Sequence, residues 1–233
     1  KIMAVVKANG YGHGMAWVAK TLAAADGFGV ASVEDGVQLR EAGIKKPIIL
    51  LEGFFSPDEL PLLVQHRFDT VVHHWSQLWD LEHAGKLQGT VDVWVKVDTG
   101  MHRIGFNPEA VPEVVRRLKV CMAAGRVRVM SHFPTADNRF DTTTPYQIRA
   151  FEELTLNLNA ERSIANSAGI GKPPPTLRPG HWWAPAPNER PQRGTSGDIA
   201  REFGTSAELV DYRLKRLGLW REHVGKRVAL SSD

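Results

Sequence analysis

The sequence predicts an α/β protein built on a parallel sheet, with a (β/α)8 barrel as the leading architecture. Three observations carry that expectation. Apolar runs of strand length alternate with stretches of helical period. The connections are short, so successive strands run parallel across helical crossovers. The unusual polar residues fall repeatedly at the carboxyl ends of the apolar runs, the rim that carries chemistry in such a barrel. Right-handed crossovers leave an open doubly wound sheet as the other architecture, and the alternation by itself does not separate the two.

The elements follow in order. Ile2–Val6 reads as a short buried strand. Met15–Ala25 is alanine-rich with apolar positions at helical spacing. Phe28–Ser32 is a strand, and Val33–Ala42 a helix with Glu34, Asp35, Arg40 and Glu41 on its polar side. Ile48–Leu51 is a third strand. Ser56, Pro57 and Glu59 then give a cap, a first-turn proline and a carboxylate three residues on, which starts a helix. Asp69–Val72 is a strand and Trp75–Ala84 a helix. Val91–Val97 is rich in β-branched residues and reads as the fifth strand. Pro108–Ala124 is helical and is broken by Gly125, and Arg126–Met130 is the sixth strand. Tyr146–Leu158 is a helix, and Ser163–Ala165 and Leu177 are weaker candidates for strands seven and eight.

The chain has 233 residues, 42% of them hydrophobic, enough for one large domain or for one domain with a small appendage. A formal net charge of +3 is too small to argue for nucleic acid. The single cysteine, Cys121, excludes an intrachain disulfide and fits a reducing cytosol. No apolar run approaches the ~18 residues of a membrane span, and the opening does not read as a secretory signal, so a cytoplasmic protein with no membrane partner is expected. The chain opens directly on a strand, which reads as a start within a longer protein or as a gene fragment. His73 and His74 are adjacent and lack the helical pairing of a metal site, so no metal is expected.

The first motif is Val5-Val-Lys-Ala-Asn-Gly-Tyr-Gly-His-Gly14. Lys7 ends a buried strand and faces a turn crowded with glycines, which permit close backbone approach to a ligand. A partly desolvated amine there is suited to Schiff-base chemistry. The second is Trp94-Val-Lys-Val-Asp-Thr-Gly-Met-His-Arg-Ile-Gly105, with Lys96 in the strand and Arg103 past a turn at Thr99 and Gly100. The third, Ser131-His132-Phe133, closes the sixth strand with an imidazole that could stack on a flat ring. The fourth, Asn166-Ser167-Ala168-Gly169, offers a hydroxyl and free N–H groups beside glycine, an anion site. Arg178-Pro179-Gly180 follows a stretch with three consecutive prolines, Pro173 to Pro175.

Together these segments resemble, in order, the motifs of the bacterial alanine racemases over about residues 1–180. The resemblance implies a TIM-type (β/α)8 barrel and pyridoxal 5'-phosphate (PLP) as cofactor. It implies that Lys7 forms the Schiff base with the cofactor and acts as the catalytic base on one face of the substrate. Tyr11, Asn166 and Ser167 would hold the phosphate, Arg103 the phenolic oxygen, His132 the pyridine ring and Arg178 its nitrogen. Lys96 would carry a carbamate that pairs with Arg103, an anion beside a guanidinium. The implied activity is interconversion of L-alanine and D-alanine, a step toward peptidoglycan precursors, in a cytoplasmic homodimer.

The resemblance stops after Gly180. In the family, the second acid–base group is a tyrosine from a carboxyl-terminal domain of the partner subunit. Tyr11, Tyr146 and Tyr212 are the tyrosines here, and none lies in a counterpart of that domain. The expectation is therefore a truncated barrel over 1–180 with impaired racemisation. A proline-rich linker follows over 181–196, then a helical tail over 197–233. Within the tail, Gly204 separates two helical stretches and Arg213, Lys215 and Arg216 give a helix-turn-helix-like pattern. Two alternatives remain: a non-catalytic PLP-binding module, or a DNA-binding regulator that uses these helices.

Overall fold

Alternating apolar positions in the strands fold into two separate packing surfaces. A computed structural model of the chain describes residues 1–138 and 140–171. Seven strands form one sheet in the order β1 to β7, every neighbouring pair parallel. They are β1 (Met3–Val5), β2 (Gly27–Val30), β3 (Ile48–Leu50), β4 (Phe68–Val72), β5 (Val91–Lys96), β6 (Ala124–Met130) and β7 (Arg162–Ser163). The helical elements between them are α1 (Lys7–Tyr11), α2 (Met15–Thr21), α3 (Val33–Glu41), α4 (Leu60–His66), α5 (Trp75–Glu82), α6 (Val111–Val120), α7 (Thr143–Thr155) and α8 (Ser167–Gly171). Short 3-10 turns, Pro57–Glu59 and Pro108–Ala110, lead into α4 and α6.

The strand order decides the architecture. A doubly wound sheet reverses direction at a switch point. Here the order runs monotonically from β1 to β7. Ile48, Leu50, Val72, Val93, Val95 and Val129 pack with Leu39, Leu63, Leu78, Leu118 and Phe151 of the helices in the main core. The alternate strand residues Ile49, Val71, Trp94 and Met130 form a second cluster that contains no helical residue. Helices thus cover one face and the sheet curls around the other, the layout of a (β/α)8 barrel. Each fully buried Leu or Ile contributes roughly 1.5–3 kcal/mol, so the larger helix-facing layer dominates stability.

The amino-terminal half of the inward face carries charge instead. Arg128 is buried and pairs with Asp69 at 3.1 Å, Asp92 at 3.3 Å and Glu161 at 3.2 Å. Its guanidinium lies 5.1 Å over the Trp94 ring, and the Trp94 indole N–H donates to Asp69 at 3.1 Å. Buried charges persist where partners and hydrogen bonds satisfy them in this way. Burial nevertheless pushes the Asp69 carboxyl above its ordinary value, against the Trp94 hydrogen bond and the Arg128 charge.

Several boundaries differ from the sequence expectation. The α6 helix stops at Val120, and Gly125 lies inside β6 rather than ending a helix. A Cβ at Gly125 would sit 2.5 Å from Asp92 Oδ1, so glycine permits the close strand contact in which Arg126 N–H donates to Asp92 at 2.9 Å. The α7 helix begins at Thr143, whose N–H donates to the Asp141 side chain at 2.7 Å just ahead of the first turn. The seventh strand is Arg162–Ser163 rather than 163–165. The start at Ser56 is as expected: its hydroxyl accepts from Asp58 N–H and Glu59 accepts from Phe55 N–H. The eighth-strand candidate at Leu177, Arg178, the linker and the helical tail lie outside the described residues. Among the described residues no helix is long and apolar enough to cross a membrane.

Candidate active site

The residues singled out in the sequence lie at the carboxyl ends of β1, β5, β6 and β7. The glycine-rich segment after β1 folds into an unusual turn. Ala8, Asn9, Gly10 and Tyr11 all have positive φ, between 52° and 63°. This left-handed winding costs energy in any residue but glycine. It is held by local bonds: Gly10 N–H donates to Val6 at 2.8 Å, Gly14 N–H to the Asn9 carbonyl at 2.9 Å, and Met15 N–H to the Asn9 side chain at 3.0 Å. Gly10 is buried, and a Cβ there would lie 3.0 Å from Val18 and 3.2 Å from the Met15 backbone.

Lys7 leads into this turn. Its amine lies 3.8 Å from Glu52 Oε1, and 35% of its side chain remains exposed. The strongly buried lysine is instead Lys96, 8% exposed at the end of β5. Burial lowers its pKa to about 8, assisted by the Arg103 charge and opposed by Asp98. Among the described residues the Lys96 ammonium makes no hydrogen bond and no ion pair.

The loop beyond Lys96 is organised by Asp98. Its Oδ1 accepts N–H bonds from Gly100 at 2.9 Å, Met101 at 3.0 Å and His102 at 3.0 Å. Burial acts to raise this carboxyl, but the backbone donors of His102 and Gly100 outweigh it and hold it below its ordinary value. The turn delivers Arg103, exposed, to the same rim. His132, at the end of β6, has its pKa lowered to about 4, first by burial, then by the charges of Lys96, Arg103 and Lys7. The three cations thus act on His132 from the same end of the sheet, and His132 is a neutral imidazole at pH 7.

Asn166 has a local structural task. Its side-chain amide donates to the Phe133 carbonyl at 2.9 Å, and its oxygen accepts the Gly169 N–H at 2.9 Å. It therefore caps α8 and ties that turn to the loop after β6. The Ser167 and Ala168 N–H groups have no acceptor among the described residues, and Ser167 is exposed. Tyr11 is half exposed on the left-handed turn.

Sequence reasoning missed a second layer. Gln147, on α7 and fully buried, donates to Thr99 Oγ1 at 3.2 Å and to the His132 carbonyl at 3.1 Å. Thr99 and Ser131 hydroxyls are 2.7 Å apart, and Ser131 donates to the Val97 carbonyl at 3.0 Å. Glu52 was also missed. It follows β3 and precedes a glycine, the same signal that marked Lys7.

A curled parallel sheet covered by helices on one face, with Lys7, Lys96, Arg103 and His132 at its strand ends, puts the chain in the class of (β/α)8-type proteins. Comparison with known proteins narrows the class. The family model described as alanine racemase, N-terminal domain, matches residues 1–183. The alanine racemase of Shewanella loihica is 50% identical over 169 residues, 72% of this chain and 47% of that protein. That of Vibrio parahaemolyticus is 52% identical over 171 residues, 73% of this chain and 48% of that protein. The crystal structure of the biosynthetic alanine racemase of Pseudomonas aeruginosa aligns with a TM-score of 0.69 at 39% identity, covering 72% of this chain and 47% of that one. The chain belongs to the alanine racemase family, whose members are PLP enzymes, and it spans about half the length of these relatives.

The residues present fit that cofactor. PLP carries a phosphate, a phenolic oxygen and an aldehyde. The rim offers a primary amine, a guanidinium, a buried ammonium with no anion bound to it, a neutral imidazole and unpaired N–H groups at Ser167 and Ala168.

Proposed function

We propose that the chain is the barrel of an enzyme that interconverts L-alanine and D-alanine with PLP, and that Lys7 is its catalytic lysine. One arrangement carries this reading: Lys7 at the end of β1, with Lys96 and Arg103 at and beyond the end of β5, all bear on His132 beyond the end of β6. When bound, the cofactor acts as an electron sink that acidifies the α-proton of an amino acid.

In this reading Lys7 holds the cofactor through its amine and moves the α-proton at its Nζ. Arg103 orients the phenolic oxygen. Lys96 answers its charge directly, or supports Arg103 once modified as a carbamate. His132 would lie against the pyridine ring and, being neutral, would add no charge to it. Tyr11 and Ser167 take the phosphate, with Asn166 acting beside them by fixing α8. Arg178, outside the described residues, is the residue this reading would assign to the pyridine nitrogen. A homodimer in the cytoplasm is the assembly and place this reading carries, with alanine as the small-molecule partner.

The test is spectroscopic. A visible absorbance band appears on incubation with PLP and is lost in Lys7→Ala. A wild-type chain that folds but develops no band overturns the reading. Turnover is tested by incubation of the loaded protein with L-alanine in deuterium oxide. Exchange with inversion means that two acid–base groups act. Exchange with retention means that Lys7 acts alone. Band formation with no exchange at all is the outcome of a second reading, a binding module without turnover.

A further inference from the structure

We propose that Glu52 is a positioning residue for Lys7. Its carboxylate pairs with the Lys7 head group and holds it at the rim against three neighbouring positive or polar groups. The functional meaning rests on Lys7 being the cofactor lysine, but the pairing itself does not.

The rim is rich in positive charge. Lys7 shares it with Lys96 and Arg103, all three acting on His132. Two carboxylates stand nearby. Asp98 is consumed by its own turn, with Oδ1 accepting three backbone N–H groups and Oδ2 lying 3.2 Å from the His102 ring. Glu52 is free of such duties. Its carboxylate makes no hydrogen bond among the described residues, and its Oε1 lies 3.8 Å from Lys7 Nζ.

The backbone beneath Glu52 is fixed. Gly53 has φ of +79°, and a Cβ there would fall 2.3 Å from Gln77 Nε2 and 2.4 Å from the Val71 carbonyl. Gln77 fills that space. It donates to the Glu52 carbonyl at 3.3 Å and to the Phe54 carbonyl at 3.2 Å, and accepts the His73 N–H at 2.9 Å. His73 Nε2 lies 3.1 Å from the same Glu52 carbonyl. The loop after β3 is thereby fastened to the end of β4, and the acid is presented from a rigid base rather than from a wandering loop. An opposite charge at this separation attracts its partner and restrains the head group. When the α-proton moves from substrate carbon to Lys7 Nζ, the Glu52 carboxylate lies beside the ammonium that forms.

The experiment reads the amine with no cofactor present. Wild type, Glu52→Gln, Glu52→Ala and Glu52→Asp are treated with limiting acetic anhydride near neutral pH. Acylation of Lys7 is measured by mass spectrometry against exposed Lys20 as an internal standard. The expected result is Lys7 acylation about threefold faster in Glu52→Gln than in wild type, with Lys20 unchanged and Glu52→Asp close to wild type. Glu52→Ala gives the same reading if the amide variant fails to fold. Equal Lys7 rates in wild type and in the uncharged variants overturn the proposal. With PLP added, the pH profile of the visible band shifts in Glu52→Gln and returns in Glu52→Asp. A wild type that develops no band overturns the assignment of Lys7 to the cofactor and leaves the acylation result to decide the pairing.

Discussion

The Gln147 amide donates to the backbone carbonyl of His132 at 3.1 Å from a position with no solvent exposure. The same nitrogen reaches Thr99, so a single side chain on α7 joins the loops after β5 and β6. Replacement by leucine keeps the volume and leaves both acceptors dry. We expect Gln147→Leu to cost about 2 kcal/mol, seen as a lower urea midpoint with an unchanged slope.

His132 and Lys96 give the stability a pH dependence whose sign is fixed. Both have folded-state pKa values below their ordinary ones, to about 4 and about 8. An unfolded histidine takes up a proton near its ordinary value while the folded one does not. Stability therefore falls as pH drops from about 6.5 toward 4, by roughly 3 kcal/mol. For Lys96 the unfolded chain binds more protons between about 8 and about 10.5, so stability rises over that interval. Urea titrations across both ranges check this, and His132→Phe should flatten the acid limb alone.

Lys96 is costly to the fold, since burial disfavours its charged form. Lys96→Met should raise stability at pH 7 by about 1–3 kcal/mol and abolish the alkaline rise. The same variant should weaken the visible band at a given PLP concentration. Stability gained where an anion site is lost is the expected exchange at a functional position.

Gly53 has no tolerated substitute. A side chain there meets both a positive φ and the Gln77 amide. Gly53→Ala should cost about 3 kcal/mol or more. Thermal unfolding measures it, and Lys7 acylation in the surviving folded fraction should move in the direction of Glu52→Ala.

Arg128→Met tests the charged layer. It leaves Asp69 and Asp92 without the guanidinium they share, a loss of about 3–5 kcal/mol at pH 7. Burial already pushes the Asp69 carboxyl upward. Acidification should therefore recover part of the deficit by protonating it, visible as a smaller gap between variant and wild type at lower pH.

Local pattern carried much of this molecule and long-range pairing carried the rest. Strands β3, β4 and β5 were legible because β-branched runs end in turns. The start at Ser56 was legible because a cap, a proline and a glutamate act within four residues. Lys7 and Arg103 were legible as motif residues. Gln147 was not: its partners Thr99 and His132 lie 48 and 15 residues away, and a buried glutamine on a helix gives no signal of its own. Gly125 was misread as a helix stop because its reason is the neighbouring strand, where Asp92 needs the space. The left-handed sense of Ala8 and Asn9 was hidden for a like reason, since neither residue type demands it. Only the bonds of the closed turn do.

The lattice of Arg128, Asp69, Asp92, Glu161 and Trp94 fills the inward face at the amino ends of the strands. The amino ends of the strands are thereby closed by charge pairs rather than by apolar packing, and the rim that carries Lys7 and Arg103 stands at the opposite ends.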